Sequence, residues 1–168
     1  MQQDTPTRWL VSLAGLGLAG LFDGVLLHRL LQWHHVLTDR MPAIGPRAHL
    51  RWDGLFDALM MMALAAALCG LQRRRDALQR LPGRALAGSA LAGFGLWHII
   101  DAVMLHWVLG LHRIRPLAQS PLAWDLGWLL AFGLLPLIIG LTLQATTGTE
   151  HRTGTAAARP RSQRFPSD

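Results

Sequence analysis

The sequence predicts an all-α polytopic membrane protein, with four transmembrane helices built as two duplicated hairpins about a pseudo-two-fold axis along the membrane normal. Three observations carry this. Hydrophobic residues make up 51% of the chain and fall in four blocks, roughly 10–32, 53–71, 86–110 and 122–144. Each block is close to the ~20 residues a bilayer-crossing helix needs, and lipid offers no partner to an unpaired backbone group, so each must be helical. The stretch Leu13 to His34 returns 78 residues later as Leu91 to His112, with 11 of 22 positions identical. The basic residues, all sixteen of them arginine, mostly flank the blocks rather than interrupt them.

Both copies of the repeat read G-x-G-x5-D-x4-H-x5-H: Gly15, Gly17, Asp23, His28, His34, then Gly93, Gly95, Asp101, His106, His112. Leucines recur by composition alone. Two glycines, an aspartate and two histidines in register mark a duplicated helix. The four-helix domain is expected over 1–145, with repeat halves about 10–71 and 86–144. Residues 146–168, rich in Thr, Gly, Arg, Pro and Ser, are expected to be a disordered tail.

The net charge of +6 raises nucleic acid as a partner, but the positions of the arginines exclude it. Arg8, the loop arginines at 73, 74, 75, 80 and 84, and the tail arginines at 152, 159, 161 and 164 lie on one side. Arg40, Arg47, Arg51, Arg113 and Arg115 lie on the other. Ten against five predicts both termini in the cytoplasm of a bacterial inner membrane. His34, His35 and His112 then stand at the outer ends of their helices. The partner is the lipid bilayer, with a second copy or another membrane protein left open. The single Cys69 excludes an internal disulfide and reads as a small buried residue. No cleavable signal peptide is expected, because the first apolar run is too long and contains Asp23.

In chain order, residues 1–8 are polar and expected to fray, and Trp9 marks the inner interface. Gly15, Gly17 and Gly20 give the first helix a small-residue face, matched by Gly88, Gly93 and Gly95 on the third. The two helices are therefore expected to pack closely on each other. The outer loop 36–51, with Pro42, Gly45 and Pro46, is expected to be irregular. The second helix opens on Trp52-Asp53 and the fourth on Trp124-Asp125, which extends the repeat to whole hairpins. Trp33, Trp52, Trp107, Trp124 and Trp128 form an outer aromatic belt. Met60 to Met62 read as packing, with soft thioether ligation of Cu(I) as the alternative. Pro136 is expected to kink the fourth helix.

Ionisable groups inside an apolar run mark a functional site by default. On an α-helix, residues five apart diverge by about 140°, and residues eleven apart stand ~16 Å apart along the axis. Asp23 or Asp101 therefore cannot meet both histidines of its own copy, and the site is expected to draw on several helices. His28 is placed opposite His106, and His34 opposite His112. His35, seven residues from His28, adds a ligand whose counterpart in the second half is Arg113. Imidazoles with carboxylates suit Zn, Cu or Fe. The expected metal ligands are His28, His34, His35, His106 and His112, with Asp53, Asp57 and Asp125 as carboxylate candidates. Asp23, Asp101 and His98 are expected as orienting partners or proton-relay groups. Arg29 is expected to snorkel to the headgroups, and neither His49 nor His151 is expected to ligate.

The strings FDGVLLHRLLQWHHVL and DAVMLHWVLGLHRIR, with the motifs D-G-x3-H-x5-H-H and D-x4-H-x5-H, resemble a bacterial four-helix integral membrane family known as domain of unknown function 2243. The resemblance covers about residues 10–144. It implies the topology and a shared Asp/His set, and no activity. The second half departs from the paired-histidine pattern, because His112 is followed by Arg113.

The leading expectation is a membrane metalloprotein with a His/Asp site near the outer face, acting as a metal-dependent enzyme or a copper or oxidase-assembly factor. The alternatives are a b-type cytochrome with His28 and His106 as axial haem ligands, a proton or ion carrier using Asp23 and Asp101, and a structural bundle. The sequence assigns no substrate and no catalytic residue.

Overall fold

The computed structural model describes residues 5–145, so the expected disordered tail at 146–168 lies outside the described residues. Four helices are long and apolar enough to cross a membrane: Thr5–Leu30, Pro46–Arg73, Gly83–Val108 and Pro121–Ala145. The first span is α1 (Thr5–Asp23) running into a π-helical stretch, π1 (Gly24–Leu30). The second is α2 (Pro46–Arg73), followed by the short α3 (Arg75–Arg80). The third is α4 (Gly83–Ile100) continuing into π2 (Asp101–Val108). The fourth is α5 (Pro121–Trp128), then π3 (Leu129–Leu134), then α-helix again over 135–145. Among the described residues there is no strand.

Spans one and three form the centre: 44% of each apolar window is buried, against 17% and 11% for spans two and four. Glycine dictates this contact. A Cβ on Gly15 would overlap the Ala90 carbonyl oxygen, and a Cβ on Gly93 would overlap that of Ser12. Only a residue without a side chain lets the two backbones approach so closely. The Ser12 hydroxyl donates across the same seam to the Ser89 carbonyl at 2.9 Å. Span two lies against span one at Gly17, beside Met60 and Leu64. Span four lies against span three at Gly95, beside Gly133 and Leu137.

Apolar packing sorts the remaining side chains. Met60 is buried against Ala19 and Trp97, while Met61 and Met62 are exposed with Leu55 and Leu59 on the outward face of α2. Cys69 is exposed, contrary to the expectation. It stands two residues from the buried Ala67, which turns it about 200° away from the packed face.

Several boundaries differ from the sequence reading. Residues 5–8 are helical rather than frayed, with Thr7 fully buried. α2 begins at Pro46, since proline suits a first helical turn, so His49 is helical and buried rather than in a loop. Near Pro136, where the sequence suggests a kink, the helix runs as π3 until two residues before the proline. A π-helical register changes which carbonyls need a donor where proline supplies none.

Spans one and three end in matching ways. Gln32 (φ 48°) and Gly110 (φ 58°) adopt left-handed backbone and reverse the chain. The Trp33 N–H donates to the Leu27 carbonyl at 3.0 Å, and the Leu111 N–H to the Leu105 carbonyl at 2.8 Å.

Candidate metal centre

The π-helical stretches make the site. Bonding from residue i to i+5 widens the turn, so side chains five apart stack on one face instead of diverging. His106 Nε2 lies 3.0 Å from Oδ2 of Asp101, its neighbour five residues earlier. The reversal at Gly110 then folds His112 back, with its Nε2 3.5 Å from Asp101 Oδ1. A single span and its following turn thus bring Asp101, His106 and His112 together. This overturns the expectation that no one helix could do so, which assumed α geometry and an unbroken axis.

Four imidazoles gather here. His34 and His112 stack face to face, with centroids 4.5 Å apart and planes 9° from parallel. His28 stands edge-on to His34 at 4.7 Å, and His106 edge-on to His112 at 4.7 Å. The expected meeting of His34 with His112 is therefore present. His28 and His106 flank that pair on either side rather than facing each other directly. His28, His34, His106, His112, Asp23 and Asp101 are all buried, none more than 2% exposed.

Backbone carbonyls choose the tautomers. His34 Nδ1 is 2.9 Å from the Ile114 carbonyl and His112 Nδ1 is 3.1 Å from the Val36 carbonyl. A carbonyl only accepts, so each Nδ1 carries the proton and each Nε2 presents a lone pair. Both Nε2 atoms are buried without an aligned hydrogen bond, as are both ring nitrogens of His28 and of His106, both oxygens of Asp101, and Asp23 Oδ1, the 3.0 Å approach of His106 to Asp101 being an ionic contact rather than an aligned hydrogen bond. Burial holds the His34 ring well below the usual imidazole pKa, and the neighbouring His112 and His28 push the same way, so it is neutral at pH 7. Two groups could each hold a metal ion: His28, His34 and His112, and Asp101, His106 and His112. They share His112, whose one available lone pair serves one ion at a time.

Asp53 and Asp125 support the two flanks in matching ways. Asp53 Oδ1 accepts the Val36 N–H at 3.0 Å and lies 3.6 Å from His28 Nδ1, while Oδ2 accepts from His35 Nδ1 at 2.6 Å. Asp125 Oδ1 accepts the Ile114 N–H at 3.0 Å and lies 3.3 Å from His106 Nδ1, while Oδ2 accepts from Arg113 at 2.6 Å. Carboxylates so placed orient imidazoles and raise their basicity.

The remaining candidates lie outside this cluster. Asp57 pairs with Arg29, whose Nε is 2.8 Å from Oδ2. The arginine expected to snorkel thus has a carboxylate one span away. His35 turns from the quartet toward Asp53 and stacks on His49 at 5.1 Å. His98 sits among Phe22, Phe94, Trp128 and Phe132, and its Nδ1 accepts from Trp128 Nε1 at 3.1 Å. Trp128 is accordingly buried and not part of a surface belt. Replacing Trp128 with Phe strands that buried acceptor. A loss of about 1–3 kcal/mol of stability is expected, read as a lowered thermal midpoint in detergent.

Reading the spacing as α-helical hid the closure of Asp101 on His106, and reading 36–51 as an irregular loop hid the burial of His49. The signal for the first was present as the five-residue Asp-to-His interval occurring twice. For His49 the signal was weaker, namely a proline three residues earlier that could start a helix.

The fold and this site define a four-helix membrane protein with a buried histidine–aspartate cluster. The chain matches the family described as "Predicted membrane protein (DUF2243)" over residues 11–147, and it belongs to that family. No curated protein and no solved structure matches it.

Proposed function

We propose that this chain is an integral membrane metalloprotein whose transition-metal centre is held by His28, His34, His106 and His112 with Asp101 and Asp23. One observation carries the reading. Asp101 is buried with no arginine partner among the described residues, and the Nε2 atoms of His106 and His112 approach its two oxygens at 3.0 and 3.5 Å. A buried carboxylate and unsatisfied ring nitrogens are each costly alone. A cation between them satisfies both. The donors are nitrogen and oxygen without sulfur, which favours Zn, Fe or Cu(II) over Cu(I). Haem b fits less well, because each imidazole already packs within 4.7 Å of another and leaves no slot for a porphyrin. With every donor shut from solvent, the centre suits electron transfer or metal retention better than turnover of a water-borne substrate.

The two halves act as related repeats in this reading. Its support is reciprocity: Gly15 meets Ala90 as Gly93 meets Ser12, and His34 meets Ile114 as His112 meets Val36. The arginine bias supports placing the histidine-bearing ends toward the outer face. Elemental analysis of protein purified in nanodiscs tests the proposal. At least one transition-metal ion per chain is expected, falling to background in a His28→Ala/His106→Ala variant. Equal metal in both proteins, or none in the wild type, contradicts it.

A further inference from the structure

We propose that metal ions reach this centre by one flank only, through a surface station formed by His35 and His49 and passed inward by Asp53. The inference rests on the metal-centre reading and adds a second, transient binding site for a divalent transition-metal cation.

Three contacts trace the route from surface to centre. The His35 side chain is 31% exposed. Its Nδ1–H is committed to Asp53 Oδ2 at 2.6 Å, so Nε2 is left as a lone pair. The His49 ring stacks against it at 5.1 Å and 25°, only 8% exposed, with a buried Nδ1 that has no hydrogen-bond partner. Two imidazoles side by side, completed by water, bind a borderline cation weakly and release it readily, as a loading site must. Asp53 then carries one oxygen toward His35 and the other toward His28, 3.6 Å from its Nδ1. The Val36 N–H holds the carboxylate in that straddling position at 3.0 Å.

The other flank has the same carboxylate and lacks the station. Asp125 contacts His106 at 3.3 Å, but its outward oxygen is taken by the Arg113 guanidinium at 2.6 Å and faces Trp107 Nε1 at 3.3 Å. Arginine has no lone pair to offer and repels an approaching cation. Four residues before Asp53 stands His49, and four before Asp125 stands Pro121. The departure from the repeat at His35 and Arg113 therefore makes one flank receptive and the other closed.

The test is the rate of Co(II) uptake by metal-free full-length protein in zwitterionic nanodiscs, followed by the cobalt d–d bands. Against wild type, His35→Arg/His49→Ala is expected to slow uptake by roughly tenfold or more, the scale on which local charge alters association rates, with final cobalt per chain unchanged. His35→Arg copies the Arg113–Asp125 pair that the fold already accommodates. Arg113→His, which frees the outward oxygen of Asp125 and sets a single imidazole beside it, is expected to speed uptake and to rescue the His35→Arg variant in part. Unchanged rates in both variants overturn the route. A proportional fall in final cobalt also overturns it, by making His35 part of the centre itself. Failure of the wild type to bind cobalt at all overturns the metal-centre reading beneath it.

Discussion

His112→Ala is expected to weaken metal binding by at least about 100-fold, the upper end of what loss of a mere supporting partner costs. His112 belongs to both candidate ligand groups, so its removal leaves neither complete. It also breaks the stack with His34 and leaves the Val36 carbonyl without its donor. Competition against a fluorescent chelator measures the effect. A His112→Ala protein that holds metal within a few-fold of wild type would remove His112 from the centre.

Gly93→Val is expected to destabilise the fold by about 3 kcal/mol or more, at or beyond the usual range for overpacking. The added Cβ would run into the Ser12 backbone carbonyl, which cannot swing aside as a flexible side chain would. Gly15→Val should do the same against Ala90. Gly127→Ala is the matched control. A Cβ there meets nothing within 4 Å, on an exposed helical face. Replacing a helical glycine there should leave stability within about 1 kcal/mol, in the stabilising direction. Thermal unfolding of the three variants in one detergent separates these outcomes. Equal midpoints for Gly93→Val and wild type would mean that spans one and three are not held at backbone distance.

The helices and their central contact were legible because hydropathy and glycine act locally. A run of about twenty apolar residues must be helical in lipid, and Gly15 and Gly93 are intelligible only at a close approach. The sequence also pointed to residues that the fold buries, since Asp23, His28 and His34 recur in spacing as Asp101, His106 and His112. Geometry was less legible. The move from α to π register at Asp101 lets side chains five apart, Asp101 and His106, converge, which an α-helical wheel forbids, and the same register change at Gly24 was equally hidden. The reversal at Gln32 was masked too. Glutamine rarely takes positive φ, so nothing at residue 32 announced that His34 would fold back. The sorting of carboxylates was not legible at all, because Asp57 on Arg29 and Asp53 on His35 depend on how α2 is rotated against span one.

X-ray absorption at the metal edge of the protein as isolated in nanodiscs tests the central claim most directly. A first shell of nitrogen and oxygen donors, with the outer-shell scattering of at least three imidazoles, is the predicted result. Sulfur in the first shell, or a shell of oxygen alone, would contradict it, because the buried donors brought together here are imidazole nitrogens and carboxylate oxygens.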